Sequence, residues 1–111
     1  MKRVGLCAAA LVVSSCGETP PEISTADIDA TVQVMAEQAI RDKLRDPDSA
    51  QFSAVRVSRK NGGPVACGFV NSKNGFGGKT GKQRFVATGQ LAFLEEEMDD
   101  GGMDQIWAKF C

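Results

Sequence analysis

The spacing of apolar residues changes period along the chain. Ile28, Val32, Met35, Ala36, Ala39, Ile40 and Leu44 recur every three or four positions with polar residues between them, which predicts an amphipathic helix with one buried face. Ser24 is its expected N-cap, with Asp27 three residues on, where a carboxylate meets the positive end of the helix dipole. Glu37 and Arg41 form an i,i+4 pair, and Pro47 stops the helix at about Arg45 or Asp46, because the residue before a proline is pushed out of helical backbone. After Asp46-Pro47-Asp48-Ser49 the period falls to two. Val55 and Val57 alternate with Arg56 and Ser58, Asn61-Gly62-Gly63-Pro64 supplies turn chemistry, and Val65, Cys67 and Phe69 alternate again, so these runs predict a β-hairpin. The stretch NSKNGFGGKTG, Asn71 to Gly81, holds four glycines and no aliphatic residue and reads as a loop. Phe85 to Ala87 and Gln90 to Leu94, separated by Thr88-Gly89, predict a second hairpin; one long strand, or a helix through LAFLEEEM, is the alternative. Gly101-Gly102 breaks the chain before Met103, Ile106, Trp107 and Phe110 share one face of a short terminal helix. The expected class is α+β, with an N-terminal amphipathic helix packed on an antiparallel sheet of three or four strands and a short C-terminal helix, all in one domain over 25–111.

Composition narrows the function classes. The 111 residues allow one small domain, and a 42% apolar share with mean hydropathy of −0.17 excludes an integral multi-span membrane protein. The chain has no His and no Tyr. It therefore lacks the commonest general base, the commonest catalytic metal ligand and the phenolic acid, and we expect neither an enzyme nor a cofactor or metal site.

The start of the chain reads as an address. Lys2 and Arg3 precede an apolar run from Val4 to Val13, which is too short to cross a bilayer. Val13-Ser14-Ser15-Cys16 then resembles the lipobox of bacterial lipoproteins, in which an aliphatic residue and two small ones precede an obligatory cysteine. The resemblance implies a cleaved signal peptide over 1–15, a diacylglycerol thioether on Cys16 with a further acyl chain such as palmitate on its amine, and a lipid anchor and tether over 16–24. Two or three acyl chains hold a protein stably where one is marginal. An ordinary leader cut at Ser15 or Gly17, with Cys16 incidental, is the simpler alternative. Gly17 after the anchor, rather than Asp, implies delivery to the outer membrane, facing the periplasm, in a Gram-negative host. Glu18 to Ser24 with Pro20-Pro21 has no apolar periodicity and reads as a stiff tether.

Removing that leader leaves 11 basic against 14 acidic residues, a balance that does not point to nucleic acid. Cys7 leaves with the leader and Cys16 is taken by lipid, so Cys67 and Cys111 remain as a pair in an oxidising compartment and read as one disulfide. In the chain-entropy view a closed loop of that length stabilises the fold by about 4 kcal/mol. A reactive thiol is the rival reading, and it lacks a His partner.

LRDPDSAQF from Leu44, ACGFVNSKNGFGGKTG from Ala66 and the terminal Trp107 and Cys111 together resemble a family of small exported bacterial proteins of uncharacterised function. Its members carry a DP-x-SA-x-F turn and a CG-x-VN-x-KN-x-x-GG-x-x-G segment. Where their Gly-Gly is often followed by an aromatic residue, this chain has Lys79. The resemblance covers most of residues 40 to 111 and implies an exported protein, with no activity attached.

Charge is segregated along the body of the chain. Between Ser49 and Leu94 stand Arg56, Arg59, Lys60, Lys73, Lys79, Lys82 and Arg84 with no acidic residue, and Glu95 to Asp104 then carries six acids and no base. One reading is a basic, glycine-rich surface for an anionic envelope partner such as lipopolysaccharide, peptidoglycan or an acidic protein patch, with Asn71, Lys73, Asn74, Lys79 and Lys82 as contacts. The other is mutual neutralisation on a solvated surface, with the asparagines serving as turn formers. Gly78-Lys79-Thr80 mimics the end of a phosphate-binding loop, but Lys73 stands where such a motif requires its first Gly. The acidic run lacks the alternate spacing and central Gly of an EF-hand. The expected function is therefore a membrane-anchored envelope lipoprotein acting as a non-enzymatic interaction module. A small periplasmic hydrolase, or a phage-exclusion or immunity lipoprotein, is the alternative.

Overall fold

The computed structural model describes residues 22–74, 78, 79 and 81–111. The leader, Cys16 and most of the tether lie outside the described residues, as do Gly75, Phe76, Gly77 and Thr80 of the glycine-rich segment. The first described element is helix α1 (Thr25–Arg41). It begins where the capping signal lies, with Ser24 extended and its Oγ accepting the Asp27 N–H at 3.1 Å. It ends before Pro47 would force it to. The N–H groups of Lys43 and Leu44 bond three residues back, to Ile40 and Arg41, and a 3₁₀ turn, Pro47–Ser49, follows. The Glu37–Arg41 pair does not form. Gln33 Nε2 donates to Glu37 Oε2 at 3.0 Å, and the Arg41 guanidinium lies 4.9 Å over the Phe52 ring, where a half-buried aromatic face replaces the exposed carboxylate.

Four strands form an antiparallel meander in chain order: β1 (Gln51–Ser58), β2 (Val65–Asn71), β3 (Gln83–Ala87) and β4 (Ala92–Leu94). Both expected hairpins are present. LAFLEEEM is not a helix but the β4 strand running into a 3₁₀ turn, Glu95–Glu97. Helix α2 (Gly102–Phe110) follows Gly101, whose φ of +82° is left-handed backbone that glycine adopts without strain.

The two-residue period sorts the sheet's side chains between the helices. Ala66, Val70, Phe85, Ala87 and Leu94 meet Ala36, Ile40 and Leu44, forming the main core with Phe52 and Val55 at its margin. Phe52 and Phe85 meet edge to face at 5.5 Å. On the other face Phe69 packs against Trp107 with ring centroids 5.8 Å apart, and Cys67 is bonded to Cys111, their Cα atoms 6.2 Å apart. The class is α+β with two helices and a four-stranded antiparallel sheet.

The predicted apolar stripe of α1 is broader than the buried one. Ala36 and Ile40 are fully buried, while Ile28 is 40% and Met35 50% exposed. One residue is about 100° of helix rotation, so turning Ala36 onto the sheet carries Met35 to the flank. In β1 the pairing register shifts between Ser53 and Arg56, and Ala54 takes φ +51°. This bulge presses Val55 toward the core over Gly68, where an added Cβ would lie 2.9 Å from Val55 Cγ2 and 3.1 Å from the Phe85 ring.

The meander gives the domain two distinct ends. The β1–β2 turn (59–64) and the β3–β4 turn (88–91) share one, and the β2–β3 connection (72–82) occupies the other. The start of α1 lies at the turn end, where Asp29 pairs with Arg59, and Met35, past the middle of the helix, sits against Gly89 of the β3–β4 turn. Its C-terminal end lies at the connection end, where Lys43 pairs with Glu97 at 3.0 Å.

Candidate functional site

The connection end is assembled by short polar side chains that satisfy backbone groups. Asn71 Oδ1 accepts the Gly81 N–H at 3.1 Å, and Asn74 Oδ1 accepts the Gly78 N–H at 3.1 Å while the Asn74 N–H donates to the Gly78 carbonyl at 2.7 Å. The two asparagines thus close the loop on itself, as the turn-forming reading holds. Ser49 links the two motif segments: its Oγ accepts the Lys73 N–H at 2.8 Å and donates to the Asp46 carbonyl at 2.7 Å. The DP-x-SA turn is therefore the floor on which the KN segment rests. Sequence reasoning found both motifs and missed their contact, because the spacing of residues does not reveal a hydrogen bond across 24 positions.

Fastening the loop in this way brings lysines together. Lys73 and Lys79 are cross-strand partners in an isolated antiparallel bridge, which puts both side chains on one side of the ribbon. Both are exposed, and so is Lys82. Lys79 Nζ donates to Gln51 Oε1 at 3.3 Å. Among the described residues none of these three lysines is ion-paired with a carboxylate. Like charges opposed across a ribbon are unfavourable unless a counter-charge is supplied. Beside them Leu44, Arg45, Ser72, Lys73, Asn74 and Glu96 line a small cavity of about 70 Å³, and Gln83 nearby gives its Oε1 to the Glu96 N–H while its Nε2 is buried without a partner.

The other members of the basic block are used within the fold. Arg59 pairs with Asp29. The guanidiniums of Arg56 and Arg84 lie 5.9 and 5.7 Å from the Trp107 ring centre, and Arg56 also donates to the Cys111 carbonyl at 3.0 Å. Arg84 bonds Glu95 at 2.6 Å and Asp104 at 2.7 Å. Glu95 is held below the ordinary carboxylate range, first by the Arg84 side chain and then by the Arg84 backbone N–H, and the same two carboxylates push Arg84 further up. The block that looks uniform in sequence therefore splits by residue type. Arginine, whose planar fork matches carboxylates and stacks on rings, is consumed by structure, whereas lysine is left to solvent.

The acidic run divides similarly. Glu95, Glu97 and Asp104 pair with cations, while Asp99 and Asp100 join Arg84 around a cavity of about 150 Å³. Among the described residues no group of three or more His, Cys, Asp or Glu side chains is placed to hold a metal ion, and no helix is long and apolar enough to cross a membrane. Cys16, the expected lipidation site, lies outside the described residues. No protein-family model matches the chain, and no curated protein or solved structure matches it either.

Proposed function

We propose that this chain is a lipid-anchored protein of the bacterial envelope, joined to the outer membrane through Cys16, whose domain is a non-enzymatic module that captures an anionic envelope component with Lys73, Lys79 and Lys82. In the mature chain beginning at Cys16, α1 is the N-terminal helix. The observation that carries the binding reading is the Lys73–Lys79 bridge, which holds two uncompensated cations side by side on a loop fastened by Asn71, Asn74 and Ser49. An anion is the counter-charge that this arrangement lacks, and its attraction is strong at low salt and screened within a Debye length of about 8 Å at physiological ionic strength. The resemblance of Val13-Ser14-Ser15-Cys16 to a lipobox supports the anchor.

The hydrolase alternative requires a cleft with perturbed carboxylates near Lys73 or Lys79. Glu95, a perturbed carboxylate, is instead kept ionised in its pair with the Arg84 guanidinium. Two tests address the proposal. Replacing Cys16 by Ser is expected to abolish palmitate labelling and processing, and unchanged maturation and membrane retention would overturn the anchor. The triple variant Lys73→Ser, Lys79→Ser, Lys82→Ser is expected to weaken cosedimentation with lipopolysaccharide or with peptidoglycan sacculi at least tenfold with melting temperature unchanged. Undiminished cosedimentation would overturn the basic-loop reading.

A further inference from the structure

At the turn end, opposite the lysines, the surface is apolar. Ile23 is 75% exposed, Val34 68%, Leu91 56% and Met35 50%. Ala30, Thr31, Val34 and Met35 line a shallow apolar depression on the outer face of α1, and Met35 also touches the β3–β4 turn at Gly89; Leu91, at the end of that turn, lines a small apolar cavity with Val65, Phe93 and Phe110 on the α2 side of the same end. Scattered exposed apolar residues need no explanation, but residues gathered along one helix and the turn beside it form a patch. The charged groups at this end are Glu22 beside Ile23, Asp27 at the helix start, Lys60 in the β1–β2 turn, and Asp29, which is neutralised by Arg59.

We propose that this apolar end, Ile23 with the part of α1 and the β3–β4 turn beside it, seats on the surface of the bilayer that holds the Cys16 anchor, so that the lysine end points away from the membrane. The inference rests on the anchor reading. Cys16 stands six positions before Glu22, where the described chain begins, and a fully extended chain spans at most about 3.5 Å per residue. The anchor is thus tied within about 20 Å of Glu22, next to the exposed Ile23 and at the end of the domain where α1 begins. A tether this short delivers the apolar end to the lipid surface at high effective concentration. Each apolar side chain that enters the headgroup boundary then gains part of its transfer free energy without needing to bind alone.

The test uses the full-length acylated protein in vesicles of phosphatidylethanolamine and phosphatidylglycerol carrying a photoactivatable acyl-chain diazirine, with labelled residues mapped after irradiation. Label is expected on Ile23, Val34, Met35 and Leu91 and not on Lys73, Lys79 or Lys82. The double variant Val34→Gln, Leu91→Gln, at exposed positions, is expected to lower domain labelling at least fivefold while the protein stays with the vesicles. An acylated protein whose domain takes no label would overturn the inference and leave the anchor standing. Crosslinks joining α1 of two copies in place of lipid label would overturn it in favour of self-association, and an unacylated protein absent from the vesicles would overturn the anchor and this inference together.

Discussion

The two ends of the sheet are built from the same meander and differ in what they leave exposed. At the turn end, short tight connections bring Ile23, Val34, Met35 and Leu91 to the surface, and the one cation held against α1, Arg59, is paired. At the connection end, the described part of the connection is held by backbone hydrogen bonds to Asn71, Asn74 and Ser49, and among the described residues Lys73, Lys79 and Lys82 have no carboxylate partner. The contrast teaches that a slightly acidic overall charge balance conceals a polar axis. Of the basic block, Arg56, Arg59 and Arg84 are drawn into the structure, whereas Lys73, Lys79 and Lys82 gather at the end opposite the exposed Ile23 and Leu91. An unassociated domain gains nothing from such an axis; a domain held at one end does.

The largest change expected from breaking this comparison comes from the frame that both ends share. Replacing Cys67 and Cys111 together by Ser frees α2, a helix of nine residues that is too short to persist alone. Loss of the crosslink costs about 4 kcal/mol and lowers the melting temperature by about 20 °C. Thermal denaturation of the wild type with and without reductant checks the same point, and an unchanged midpoint would show that the packing of Trp107 holds α2 unaided.

A smaller change isolates the lysine end. Asn71→Ala removes the acceptor for the Gly81 N–H; the expected cost is about 1 kcal/mol, with faster amide exchange around Lys79 and weaker anion capture, while lipid labelling at Val34 and Leu91 stays as it was. Equal loosening at both ends would mean that the two are not independent.

The smallest effect concerns Glu95, which ties the 3₁₀ turn after β4 to β3 through Arg84. Its pKa in the folded state lies below the ordinary value, so it contributes stability above that value and the contribution is lost as pH falls through the acidic range. The pair is partly solvated and is worth about 1 kcal/mol at most. Glu95→Gln is therefore expected to melt a few degrees below wild type at neutral pH, with the gap narrowing as pH falls through the acidic range. A gap that did not narrow on acidification would assign the loss to packing instead of charge.

Much of the fold was legible because its signals are local. Ser24 marked the start of α1, the period-two runs around Val55, Val65 and Phe85 marked strands, and Gly101-Gly102 marked the break before α2. The elimination of Cys7 and Cys16 left Cys67 and Cys111, which are joined. What was not legible depended on tertiary geometry. The exposure of Ile28 and Met35 follows from the rotation of α1 set by Ala36 against the sheet, and the early end of that helix is marked by the three-back bonds of Lys43 and Leu44. At the candidate site the lysines and asparagines were legible as residues. Their roles separated only when the Lys73–Lys79 bridge showed which side chains close the loop and which are left over.

The central claim is that one end of the domain rests at the membrane and the other faces away from it, and lysine acylation measured residue by residue tests it most directly. Lys60, at the turn end, and Lys73, Lys79 and Lys82, at the connection end, are all exposed, so each is an equal target in detergent-dispersed protein. In vesicles carrying the anchored protein, Lys60 is expected to lose most of its reactivity while the other three keep theirs. Equal reactivity at all four, or protection confined to Lys73, Lys79 and Lys82, would contradict the account.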